Sequence, residues 1–94
     1  MDRIKPEEAM RELTLMLLYL SRFTREEKFE EASEFYAWKG FDFDVLNQLS
    51  VEEYIIQGSY RSKSVTITGN GIEKAEELLF KYGISDWVKK KDSI

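Results

Sequence analysis

The stretch Tyr54-Ile55-Ile56-Gln57-Gly58-Ser59-Tyr60-Arg61-Ser62-Lys63-Ser64-Val65-Thr66-Ile67-Thr68 decides how this chain is read. On either side of it, apolar residues recur every three or four positions. Inside it the period changes. Ser64 to Thr68 alternates polar and apolar, the pattern of a strand with one buried face. Tyr54 to Gln57 reads as the strand before it, and Gly58 to Ser62 as the turn between them. The expected unit is an antiparallel hairpin. A lone hairpin is marginal in water, so this one must rest on helices.

Those helices are legible outward from the hairpin. Thr68 is placed to cap a last helix in which Ile72, Ala75, Leu78, Leu79 and Tyr82 recur at helical spacing, with Gly83 as its stop. Ile84, Trp87 and Val88 are expected to fold back onto the body, ahead of a frayed tail over 89–94. Upstream, Asp42 or Asp44 caps a short helix running to about Glu52, with Val45, Leu46 and Leu49 apolar. Before that, Thr24 and Glu27 have capping-box spacing. They open a helix with Phe29, Ala32 and Tyr36 inward, Phe35 alongside, and Gly40 as its stop. The first helix is expected from Pro6, where a missing N–H is harmless, to about Arg22. Met10, Leu13, Leu17 and Leu20 form its main stripe, and Leu15, Met16, Leu18 and Tyr19 fill other faces. Such a helix is covered on several sides, centrally or by a second subunit.

The 94 residues make one domain, spanning 1–94, with 43% hydrophobic and 14% aromatic content, too apolar for a disordered chain. The expected core is Leu13, Leu17, Leu20, Phe29, Leu46, Leu49, Ile55, Ile67, Ile72, Ala75 and Leu79. No cysteine is present, which excludes disulfides and thiol catalysis. No histidine is present, which removes the commonest general base and metal ligand. No cofactor and no enzymatic activity are expected. The longest apolar run, Leu15 to Leu20, is far short of the roughly 20 residues of a membrane span. No signal peptide is apparent, so the expected compartment is the cytoplasm, without membrane association.

Helix, helix, short helix, hairpin, helix is the order of a winged helix-turn-helix, a mainly α fold with a small β-hairpin. Leu46 and Leu49, then Tyr54-Ile55, the basic Arg61 and Lys63, and Thr68 to Gly71 resemble the second half of winged-helix regulators. More closely, Ala37-Trp38-Lys39-Gly40-Phe41-Asp42-Phe43-Asp44 and Arg61-Ser62-Lys63-Ser64-Val65 resemble a small uncharacterised bacterial family, a lone domain of unknown function. One residue departs from the winged-helix pattern. Glycine usually stands where this chain has Glu53, at a turn that needs positive φ, and a glutamate is strained there.

The resemblance implies a DNA-binding transcriptional regulator. Tyr60, Arg61 and Lys63 in the wing would then contact phosphates of double-stranded DNA, and Asn47 and Gln48 would face adenine edges. Phe43, Asp44, Val45 and Ser50 are the other positions of that helix that can face outward. The charge distribution argues the other way. Residues 24–53 carry three cations (Arg25, Lys28, Lys39) against nine anions, a net of −6. The chain totals −4 with a pI of 4.9. Duplex affinity rests largely on cations displacing counterions. The alternative is a winged-helix module that binds protein without nucleic acid. Its contacts would be Trp38, Phe41 and Trp87, next to an acidic face that suits a basic partner. The carboxylates Glu26, Glu27, Glu30, Glu31 and Glu34 read as a solvated face, and Thr68-Gly69-Asn70-Gly71 as a helix cap lacking the lysine of a phosphate loop. A homodimer through the first and last helices is also expected, because the first helix has more apolar faces than a four-helix monomer needs.

Overall fold

Pro6 sits in the first turn of α1 (Pro6–Leu20), with Glu7 and Glu8 at the positive end of the helix dipole. A computed structural model of the chain describes residues 3–23, 35–58 and 63–87. After α1 come β1 (Phe35–Trp38), α2 (Phe43–Val51), β2 (Ile55–Ile56), β3 (Ser64–Ile67) and α3 (Gly69–Tyr82). The three strands form one antiparallel sheet in the order β1-β3-β2.

This corrects the expected winged helix-turn-helix. Among the described residues there are three helices and a three-stranded sheet, in the order α-β-α-β-β-α, rather than four helices and a two-stranded wing. The pairing of 54–57 with 64–68 is present as Ile55↔Ile67 and Ile56↔Thr66. But β3 is also paired along its other edge, from Phe35↔Ile67 to Trp38↔Ser64. Phe35 and Tyr36 therefore do not belong to a helix. Phe, Tyr and Trp suit a pleated, half-buried surface. Along β1 the buried Ala37 faces the helices, while Trp38, at 59% exposure, faces out. Pairing to β3 outweighs the helical spacing that Tyr36 shares with Phe29 and Ala32. The first part of that expected helix, residues 24–34 with the core candidate Phe29, lies outside the described residues.

The core is made by Leu15, Met16, Leu18 and Tyr19 of α1, Ala37 of β1, Val45, Leu46 and Leu49 of α2, Ile55, Val65 and Ile67 of the sheet, and Ala75, Leu78 and Leu79 of α3. Leu20 and Ile72 pack against it partly buried. Leu13 and Leu17 were expected inside and are not; they stand 55% and 51% exposed. Because α1 is apolar on nearly every face, the stripe of Met10, Leu13, Leu17 and Leu20 picks the wrong side, and the inward one is that of Leu15, Leu18 and Tyr19. Val45, which could have faced outward, is buried.

The joint between α2 and the sheet is tightly specified. Asp42 caps α2, its side chain accepting from the Asp44 N–H. At the other end the Tyr54 N–H donates to the Leu49 carbonyl at 3.0 Å, and Glu53 N–H to that of Ser50 at 2.9 Å. These two bonds close the helix in the left-handed turn that favours glycine at its centre. That centre is Glu53, with φ 67°. Thr68 ties this joint to α3. Its hydroxyl donates to the Glu53 carbonyl at 2.6 Å and accepts from the Gly71 N–H at 2.9 Å. Gly71 lies so close to the Tyr54 carbonyl that any Cβ there would collide with it. Among the described residues, no helix is long and apolar enough to cross a membrane.

Candidate interaction surface

Helical geometry places Val45, Leu46 and Leu49 on one side of α2 and leaves the other side in solvent. That outer half carries Phe43, Asp44, Asn47, Gln48, Val51 and Glu52. Phe43 is 65% exposed and Val51 82%. Two apolar side chains, two amides and two carboxylates share the surface, and no residue of α2 is a cation. Glu52 is the C-cap of α2, and Glu53 extends the negative charge beyond it. Among the described residues, Arg11 of α1 reaches this helix: it donates from Nη1 to Gln48 Oε1 at 3.0 Å and lies 3.9 Å from Glu52. Asn47 Oδ1 accepts from Gln57 Nε2 at 2.8 Å. Both amides proposed for adenine edges are therefore already engaged within the molecule.

The remaining expected contacts are dispersed. Lys63 is exposed beside β3, its carbonyl accepting from the Lys39 N–H at 2.8 Å. Tyr60 and Arg61, and the acidic stretch Glu26 to Glu34, lie outside the described residues. Trp38 stacks on Phe23 with ring centroids 4.8 Å apart, and Phe23 bridges to Tyr36 along the edge of β1 away from β3. Phe41 is half-buried and packs against the core, a corner plug rather than an anchor. Trp87 is exposed at 71%, yet its Nε1–H donates to the Leu20 carbonyl at 2.6 Å. That bond belongs to a clamp which holds the end of the described chain against α1. Arg22 forks onto both oxygens of Asp86 at 3.1 and 3.2 Å. Its guanidinium also lies 3.9 Å from the centre of the Tyr19 ring. Burial opposes ionisation of Asp86, but the bonds from Arg22 and the Trp87 N–H outweigh it and lower its pKa. Burial and a hydrogen bond to Glu76 raise that of Tyr19, so its phenol stays protonated.

A cleft of about 150 Å³ opens between the three helices, floored by Leu15, Leu49 and Leu78 and rimmed by Glu8, Glu12, Glu52, Arg11 and Lys74. Several of its charged groups are paired: Arg11 lies 3.9 Å from Glu52 on the rim, and Glu12 lies 3.9 Å from Lys81 outside it. Lys74 bonds Glu77 at 3.1 Å, which raises its pKa and keeps the amine protonated, the wrong state for a nucleophile. No group of three or more carboxylates among the described residues is arranged to hold a metal ion. The sequence singles out Trp38, Phe41 and Trp87 as partner contacts, with Phe43 as an outward position of its helix and Val51 not among them. The signal was present: Phe43, Asn47 and Val51 are four apart on the side opposite Leu46 and Leu49.

Comparison with known proteins adds a family and no activity. The model described as Domain of unknown function (DUF6429) matches residues 6–85, and the chain belongs to that family. No curated protein and no solved structure matches it.

Proposed function

We propose that this member of the DUF6429 family is a non-catalytic protein-interaction domain whose α2 receives a basic segment of a partner protein. The carrying observation is the outer half of α2, where Phe43 and Val51 stand in water among Asp44, Glu52 and Glu53 with no cation on the helix. A partner helix or strand with apolar side chains would cover Phe43 and Val51, and its lysines or arginines would meet the carboxylates. The net charge of −4 favours encounter with such a partner. Duplex DNA suits this surface poorly, because phosphates need cations that α2 does not supply. Among the described residues, exposed Lys63 is the feature that speaks for DNA.

The two readings separate in a pair of titrations followed by the amide NMR signals of the labelled protein. A lysine- and leucine-rich helical peptide should shift the signals of residues 43–53. Replacing Phe43 and Val51 together by alanine should weaken that binding about tenfold or more. A DNA duplex should shift nothing even at low salt. Duplex binding whose log–log salt slope is about −0.9 per neutralised phosphate would instead establish the nucleic-acid reading.

A further inference from the structure

α1 is buried on three sides, and its fourth side is apolar. Leu15, Leu18 and Tyr19 face the core, and Thr14 and Met16 are buried on the two flanks. What remains in solvent is a narrow stripe of Met10, Leu13 and Leu17, exposed at 47%, 55% and 51%, with half-buried Leu20 beside its end. No charged residue interrupts it from Met10 to Leu20. Spacings of three, four and three are those of a coiled-coil seam rather than of a solvated helix face.

We infer that a second copy of this chain covers the stripe, its α1 packed antiparallel against the first. The reasoning is one of self-complementarity. A three-four-three spacing reads the same in both directions, so an antiparallel copy brings Leu13 of each chain against Leu17 of the other, and Met10 against Leu20. The two-fold axis then passes beside Leu15. The charges favour that direction. A parallel pair would bring Glu7 and Glu8 of the two copies together, whereas the antiparallel pair separates them and opposes the helix dipoles. The size fits as well. A standard interface covers about 800 Å² on each partner, with an apolar centre and a polar rim. Three half-exposed side chains and the half-buried Leu20, over roughly 15 Å of helix, make such a centre. Outside the described residues the sequence holds six apolar side chains: Met1, Phe29, Ala32, Tyr60, Val88 and Ile94. This surface is separate from the outer half of α2, so the dimer can fail while the partner site stands, and the reverse.

The test is sedimentation equilibrium of the full chain at concentrations up to the order of 100 µM. The expected mass is twice the 11.1 kDa of one chain. Replacing Leu13 or Leu17 by glutamate should weaken association by about 100-fold or more, with the helical circular dichroism retained. Because the chain has no cysteine, introduced ones report on register without interference. Leu13→Cys mixed with Leu17→Cys should crosslink on oxidation, and Leu13→Cys alone should not. A single-chain mass throughout overturns the inference. So does a dimer that survives either glutamate, and so does a dimer in which Leu13→Cys crosslinks to itself.

Discussion

α1 and α2 each bury one side against the same core and show apolar side chains on the other, but the two outer sides differ in kind. That of α1 is continuous and uncharged from Met10 to Leu17. On α2, Phe43 and Val51 are separated by Asn47 and flanked by Asp44 and Glu52. A surface without charge can meet its own copy, since nothing on it repels like against like. A surface with carboxylates among its apolar residues repels its own copy and favours a cationic one. Exposed hydrophobic area alone would have made these two helices equivalent; the charge between the apolar residues separates them.

The largest effect should come from the inner side. Leu18→Ala, at a position fully buried in the core, should lower unfolding free energy by about 2–5 kcal/mol in urea titration. A loss under about 1 kcal/mol would mean that α1 is not the centre of this domain.

Next comes the end of α2, where the expected change is a gain. Glu53 holds φ 67° with a side chain that disfavours it. Glu53→Gly keeps both closing bonds and removes the Cβ, so stability should rise by about 0.5–1 kcal/mol. No gain would show that Glu53 makes a compensating contact.

Smaller again is the link between the two helices. Arg11→Ala removes its bond to Gln48 and a looser pairing with Glu52, both at the surface. The cost should be about 0.3–1 kcal/mol, falling as salt rises. It should also make the outer half of α2 more negative, so the lysine-rich peptide should bind it more tightly.

How much of this was legible beforehand depends on whether local pattern or tertiary pairing decided the outcome. α2 was readable because its signals are local: an aspartate cap at Asp42 or Asp44, Leu46 and Leu49 on one side, and a glutamate at a position that wants glycine. The cap of α3 at Thr68 was readable for the same reason. β1 was not. Tyr36 fits both a helix with Phe29 and Ala32 and a strand with Trp38, and only the open edge of β3 chooses between them. Nor was the inward side of α1: the three-four spacing puts Leu17 in the core and leaves Leu18 out, the reverse of what is found, since α1 is apolar on both sides. At the candidate site, Asn47 and Gln48 had been assigned to the right helix face, but their bonds to Gln57 and Arg11 cross between elements and leave no local trace.

That last pair gives the finest test of the comparison. Leu17 and Leu18 are neighbours in one helix with the same side chain and nearly the same propensity. They differ in exposure, 51% against 0%. At a dilution where the chain is monomeric, Leu17→Ala removes a side chain already half in water and leaves no cavity. Its effect on urea unfolding should stay within about 0.5 kcal/mol of zero. At high concentration the same variant should lose the extra stability that association confers on the parent, because binding between folded chains stabilises them by mass action. The gap between the two alanine variants should therefore be widest when dilute and shrink as concentration rises. If Leu17→Ala costs as much as Leu18→Ala in the dilute monomer, Leu17 is covered by its own chain, and the contrast between the outer sides of α1 and α2 disappears.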